Sequence, residues 1–168
     1  METIPWSQPK LFSKHYVFGA ELEPFAELAF TGIWSNDAVY TSETASYFLN
    51  MRSSFKNEVD ILENGRPVAD VSMPSWGKYT LRLPSGRWYT LASDMFSNSY
   101  RWINEAGEEL AWYSQGLLDV AHGTIRLSER VPAEDRELLL STGFFLKQNS
   151  DQTVLLILAL LFFFVITR

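Results

Sequence analysis

From residue 16 to about residue 127 apolar and polar side chains alternate with a period of two, and nothing else in the chain restricts its fold as much. Successive side chains of a strand point to opposite faces, so this pattern buries one face and leaves the other in water. In residues 45–52, Ala45, Tyr47, Leu49 and Met51 share one face, with Ser46, Asn50 and Arg52 opposite. In residues 56–63, Val59 and Ile61 oppose Lys56, Glu58 and Asp60. In residues 79–83, Tyr79, Leu81 and Leu83 oppose Thr80 and Arg82. Residues 25–34 fit as well, with Ala26, Leu28, Phe30 and Trp34 on one side.

Turn chemistry punctuates the same stretch. Asn64 and Gly65 both tolerate the positive φ that a two-residue type I′ hairpin demands. Pro84-Ser85-Gly86 and Glu105-Ala106-Gly107 join two further pairs of alternating segments. Three hairpins in succession predict an antiparallel meander. With shorter candidates near Tyr16, Val39, Leu117 and Ile125 the count reaches about twelve strands. A sheet of that size curls or closes, because closure removes its edges. Residues 1–15 read as a lead-in segment, since Pro5 and Pro9 limit regular structure.

The texture changes after Ser128. Pro132 suits a first helical position, and Glu134 and Asp135 suit the positive end of a helix dipole. A helix over residues 134–147 follows, apolar on nearly every side: Leu138, Leu139, Leu140, Phe144 and Phe145 surround a thin waist at Ser141, Thr142 and Gly143. A helix without a polar face is buried. Lys147 and Asn149 read as its end, and Ser150 or Asp151 as the cap of a second helix over residues 149–168. That second segment holds Val154, Leu155, Leu156, Ile157, Leu158, Leu160, Leu161, Phe162, Phe163 and Phe164, in an unbroken apolar run of 13 residues, 154–166. At about 1.5 Å per residue the run is roughly 20 Å long, against a hydrocarbon core of about 30 Å. It crosses a bilayer only with local thinning or with flanking polar residues drawn into the interface. Its alternative host is protein, in the core or in an oligomer interface.

Charge narrows the partners. Lys and Arg total 14 and Asp and Glu 20, a net charge of −6, and no basic run occurs. Nucleic acid is recognised through clustered Lys and Arg, so a nucleic-acid partner is not expected. Arg87-Trp88-Tyr89 and Arg101-Trp102 resemble base-stacking platforms, but they are read as barrel aromatics covered by arginine. There is no cysteine, which excludes disulfides and thiolate metal sites and fits a reducing compartment. The N-terminus lacks an apolar h-region, so no signal peptide is expected. Aromatic residues reach 15 %, a composition that favours pleated surfaces.

Many strands followed by a hydrophobic C-terminal helix is an uncommon order. With Pro5-Trp6, Gly86-Arg87-Trp88-Tyr89, Arg101-Trp102-Ile103, and Glu137-Leu138-Leu139-Leu140 leading into Gly143-Phe144-Phe145-Leu146, the chain resembles the Tubby C-terminal-like superfamily. That superfamily holds Tubby proteins, phospholipid scramblases and LURP-one-related proteins, and small bacterial members are the nearest in pattern. The resemblance implies a mainly β fold: an antiparallel barrel of about twelve strands around a central hydrophobic helix. It implies a barrel over residues 16–148 with the helix 134–147 enclosed, and makes residues 149–168 surplus to it. Surplus apolar chain favours a membrane role. Tubby proteins bind phosphoinositide headgroups through basic residues, and no clustered Lys/Arg motif matches here. Scramblases carry an acidic calcium segment beside the final helix; the comparable residues 147–151 hold one carboxylate, Asp151.

The chemistry is sparse. Asp119 and His122 are the candidate acid–base couple, but a working site needs a nucleophile or metal as well. The plainer reading makes His122 a residue of a solvated turn, and His15 a surface residue. Carboxylates such as Glu21, Asp60 and Glu105 show no sign of the cleft that paired-carboxylate hydrolysis requires. No nucleotide, zinc-protease or serine-hydrolase motif occurs. Trp76, Trp88, Trp102 and Trp112 are candidate headgroup contacts if they share an exposed side. The reading is therefore a non-enzymatic module, with no cofactor and no metal, on the cytoplasmic side of a membrane. It is held there by its tail and binds lipid or a membrane protein. The alternative is a soluble cytoplasmic barrel binding an apolar small ligand, with the tail in its core or in an oligomer contact.

Overall fold

Twelve strands close on one another into a single antiparallel barrel, and one helix follows them. The computed structural model describes residues 1–10, 13–20, 22–32, 35–53, 58–75, 77–94, 99–116 and 121–166, with helix side chains described as far as Asp151. The strands are β1 Glu2–Ser7, β2 His15–Ala20, β3 Glu23–Phe30, β4 Ala38–Ser42, β5 Ser46–Ser53 and β6 Glu58–Glu63, then β7 Arg66–Ser75, β8 Lys78–Arg82, β9 Trp88–Asp94, β10 Ser99–Ile103, β11 Glu109–Ser114 and β12 His122–Leu127. Each pairs with its neighbours in sequence, and β1 pairs with β12 from Glu2↔Leu127 to Ser7↔His122 to complete the ring. A short 3-10 turn, Ala133–Asp135, leads into α1, Arg136–Ile166.

The period of two is the reason for the inward face. Ala45, Tyr47 and Leu49 are buried, as are Val59 and Ile61, Tyr79 and Leu81, and Ala26, Leu28 and Phe30. Trp34 lies outside the described residues. Buried residues of the strands and of α1 from Leu138 to Leu146 form one apolar cluster. The predicted hairpins are present. Asn64 and Gly65 have φ of 50° and 76°, with Glu63 facing Arg66 across the turn, and Gly86 and Gly107 take φ of 90° and 79° in theirs.

Three expectations are corrected. First, residues 1–15 are not a lead-in: β1 is a full member of the ring and His15 opens β2. Proline is tolerated in strands where a ladder bond is missing anyway, and Pro5 pairs with Thr124 of β12 while β2 reaches only Trp6 and Ser7. The twelfth strand is thus β1, whereas the candidate near Leu117 falls outside the described residues. Second, the two helices are one. Ser150 and Asp151 do not cap a new helix, because their side chains are spent on Tyr79, Tyr100 and Lys147. No Gly or Pro interrupts residues 144–166. Third, Trp102 is fully buried and cannot rest on headgroups, while Trp88 is 41 % exposed. Trp112 is half-buried beneath the Arg126 guanidinium, and Trp76 lies outside the described residues.

Because the strands run up and down, their connections alternate between two ends. Arg136 is hydrogen-bonded to Glu2, at the end where β1 starts. Lys147 bonds Gln115, just past the last residue of β11, at the opposite end.

Candidate functional site

Of the helix residues singled out in the sequence, Leu138, Leu139, Leu140, Phe144 and Phe145 are all buried. Gly143 belongs with them for a steric reason. The Leu139 carbonyl accepts two side-chain hydrogen bonds, from Trp102 Nε1 at 3.0 Å and Tyr113 Oη at 2.6 Å. A Cβ on Gly143, one turn further along, would lie 2.5 Å from Trp102 Nε1. Absence of a side chain there lets both rings reach the helix backbone. Beside it, Phe144 meets Trp6, Tyr16 and Phe18 edge-on at centroid distances of 4.9, 5.0 and 4.9 Å, and Phe145 stacks on Phe30 at 5.7 Å. Edge-to-face pairs at these separations add to simple burial.

On either side of this apolar waist sits a polar cluster. At the Arg136 end, Tyr40 donates to Glu137, and Tyr89 donates to Asp135 at 2.5 Å. Arg87 reaches Glu134 at 3.1 Å and Asp135 at 3.3 Å. Arg136 forms a two-pronged pair with Glu2, one prong of 2.8 Å. Burial, with the Glu137 hydrogen bond after it, pushes the Tyr40 hydroxyl far above its ordinary range; burial also leads for Tyr89, followed by Asp135.

At the other end, Lys147 is fully buried. Its ammonium donates to Gln115 Oε1 at 2.6 Å and to Asp151 Oδ2 at 2.5 Å. It also lies 5.9 Å from the Trp6 ring centroid and 6.0 Å from that of Tyr100. Three tyrosines complete the cluster. Tyr100 donates to Asp151 Oδ1 at 3.1 Å, Tyr79 shares a 2.7 Å bond with Ser150, and Tyr16 donates to Gln148 Oε1 at 3.2 Å. Burial, and then the Asp151 charge, push the Tyr16 hydroxyl up to about 12. A buried ion pair is tolerated when its remaining donors and acceptors are satisfied, and this one is satisfied on both members.

Sequence reading missed this second cluster. The sequence alone makes Lys147 a helix end and Asp151 a helix cap, whereas both are mid-helix partners at the i, i+4 spacing. That spacing was the available signal: a Lys and an Asp one turn apart between two apolar runs. Among the described residues no group of three or more His, Cys, Asp or Glu is disposed to hold a metal. His122 is exposed at the start of β12, and its candidate partner Asp119 lies outside the described residues. His15 pairs with Glu27 at 3.0 Å on the outer surface.

One open hollow of about 330 Å³ lies at the Arg136 end, lined by Arg87, Trp88, Glu105, Arg130 and Pro132 among others. Both of its arginines are already matched, Arg87 by Glu134 and Asp135 and Arg130 by Glu108 at 2.7 Å. Among the described residues no helix is long and apolar enough to cross a membrane. The apolar run at residues 154–166 continues α1, but its side chains, Val154 to Phe164 included, are outside the described set. No protein-family model matches the chain, and no curated protein or solved structure matches it either.

Proposed function

We propose that this chain is a non-enzymatic, Tubby-like module whose barrel encloses residues 136–147 as a central hydrophobic plug. Its tail, residues 154–166, holds the module at the cytoplasmic face of a membrane, where it binds lipid or a membrane protein. The observation that carries the reading is the unbroken length of α1. Its 31 residues make about 46 Å of helix at about 1.5 Å each. The longest strand, β7, has 10 residues, about 33 Å along the chain at about 3.3 Å each, and less along the axis of a barrel whose strands tilt by about 35–45°. A straight helix of this length outruns the strands it packs on. The described contacts to those strands extend to Asp151, three residues before the apolar run. Burial of Leu138 to Leu146 among strand aromatics supports the plug.

No flexible linker separates plug from tail, so the tail is a rigid continuation rather than a tether on a string. A run of about 20 Å is short for a full span and suits insertion into one leaflet or a thinned bilayer. The test is flotation with vesicles. The full chain is expected to float and to need detergent for release. A chain ending at Thr153 is expected to stay folded and remain at the bottom of the gradient. The cut must follow Asp151, because an earlier one strands the Lys147 ammonium without its carboxylate. A full-length chain that is monomeric in detergent-free buffer and does not float overturns the reading.

A further inference from the structure

Cross-strand register assembles on the outer wall a row of residues that the sequence keeps apart. Lys78 of β8 lies opposite Ala92 of β9, which lies opposite Arg101 of β10. Arg101 lies opposite Trp112 of β11, Trp112 opposite Arg126 of β12, and Arg126 opposite Thr3 of β1. Each alternates with a buried neighbour: Tyr79, Leu91, Trp102, Tyr113, Ile125 and Ile4. The row therefore stands on the outer face. Lys78 opens β8 at the Lys147 end, while Thr3 is near the start of β1 at the Arg136 end. The row thus slants across the wall from one end of the barrel to the other.

Lys78, Arg101 and Arg126 are exposed. Lys78 and Arg126 have no ion-pair partner among the described residues, and Arg126 lies over the Trp112 ring, 5.6 Å from its centroid. One carboxylate serves the row. Glu109 accepts from Arg101 at 2.8 Å with one oxygen and from Trp112 Nε1 at 3.0 Å with the other. Three cations thus face one carboxylate, in a molecule whose net charge is −6. Of the carboxylates beside the wall, Glu108 is matched by Arg130 and Glu129 by the N-terminal ammonium. Asp94 closes β9 in the neighbouring row, opposite Ser99.

We infer that this row docks an extended acidic segment of a protein partner, laid across β8 to β12 with Asp or Glu at every third position. The wall is convex, so a flat membrane meets only part of the row, whereas a flexible chain follows its curve. The barrel is closed and offers no strand edge to pair with, so the partner must be held through side chains. The cations recur on every second strand. Strands lie about 4.7–4.9 Å apart, so successive cations leave the wall about 9.5 Å apart. A polyproline II chain has three residues per turn and a rise of about 3.1 Å, which puts every third side chain on one face about 9.3 Å apart. A nucleic-acid strand carries its phosphates more closely, and its bases would find the Trp112 face already covered by Arg126. No part of the inference uses residues 154–166, so it goes beyond the tail reading and stands or falls separately from it.

The test uses the full chain in nonionic detergent and a fluorescein-labelled peptide of repeated Glu-Pro-Pro, read by anisotropy. The peptide is expected to bind in low salt and to be released as salt rises. The same peptide with Gln for Glu should not bind. Lys78→Gln combined with Arg126→Gln should weaken binding about tenfold. Lys78→Arg combined with Arg126→Lys should keep it, and Arg52→Gln on the far wall should change nothing. No binding by the parent, or equal binding by the parent and the Lys78→Gln, Arg126→Gln variant, overturns the inference. An oligothymidylate that binds more tightly than the peptide gives the wall to nucleic acid and overturns it as well. Flotation keeps this result apart from the tail reading. The Lys78→Gln, Arg126→Gln variant should float as the parent does, and loss of flotation would give the row to the membrane and sink the inference. Peptide binding by a chain that does not float leaves the inference standing and sinks only the tail reading.

Discussion

The two ends of α1 are held by the same kind of side chain in opposite circumstances. At the Arg136 end the cations keep their water: Arg87 and Arg136 are 40 % and 34 % exposed and Glu134 is 65 % exposed, although Asp135, which Arg87 also reaches, is buried. At the Lys147 end, the tyrosines meet a polar stretch whose cation is wholly removed from water. Exposed ion pairs contribute little, because water and salt screen them. A buried pair is costly to form and more costly to break, since removing one partner leaves a charge with no solvent. The Arg136 end therefore works as a loose fastening and the Lys147 end as a lock, set just before the point where the helix continues into its apolar run.

The harshest way to break this asymmetry is to remove what both ends share. Gly143→Val puts a branched side chain where Trp102 and Tyr113 approach the Leu139 carbonyl. Overpacking plus two lost hydrogen bonds should cost more than about 4 kcal/mol, enough to leave the chain largely unfolded in a urea titration followed by tryptophan fluorescence. A folded Gly143→Val variant within about 1 kcal/mol of the parent would mean that the rings do not depend on that gap. Next comes Lys147→Met, which leaves the Asp151 carboxylate, 24 % exposed, with its Tyr100 hydrogen bond but no cation; about 2–3 kcal/mol should be lost. Lys147→Met combined with Asp151→Leu removes both charges and should recover most of that loss. Arg136→Met, the matching change at the other end, should cost within about 1 kcal/mol. Equal costs for Lys147→Met and Arg136→Met would erase the distinction between lock and fastening.

How much of this was legible in sequence follows the range of the interactions. Alternation is local, so buried faces such as Ala45, Tyr47 and Leu49 could be read directly. Turn residues are local too, and Asn64-Gly65 adopted the conformation its chemistry demands. β1 was missed because Pro5 was weighed as a breaker without knowing that β2 would leave that stretch of strand alone. Trp102 was misplaced although its phase was available: it alternates with Tyr100, and both are buried, whereas Trp88 is out of phase with the buried Tyr89 and Leu91. The lock itself was out of reach. Its bonds join residues 132, 71 and 51 positions apart, from Tyr16 to Gln148, Tyr79 to Ser150 and Tyr100 to Asp151. Only closure of the ring brings them together, and a Ser-Asp pair between apolar runs otherwise looks like a helix cap.

The gentlest probe of the comparison is pH, because its alkaline limb reads both ends and its acid limb only one. Tyr16 at the Lys147 end and Tyr47 at the Arg136 end both have hydroxyls pushed up to about 12, in each case chiefly by burial. A phenol whose folded pKa is raised contributes stability that is fully present below its ordinary value of about 10 and is lost as pH rises through the folded one. Alkaline unfolding should therefore begin above about pH 10 and be complete near 12, with tyrosinate absorbance rising together with loss of circular dichroism. Tyrosinate forming near 10 with the barrel intact would show these hydroxyls to be solvated. On the acid side the effect should be smaller and confined to the Arg136 end. The Arg136 hydrogen bond holds the Glu2 carboxyl below its ordinary range, so that contribution is present above the usual carboxylate pKa and is lost as pH falls through the lowered one. Glu2→Gln should flatten only this acid limb and leave the alkaline limb in place, since the carboxylate it removes sits at the exposed fastening and touches none of the locking tyrosines.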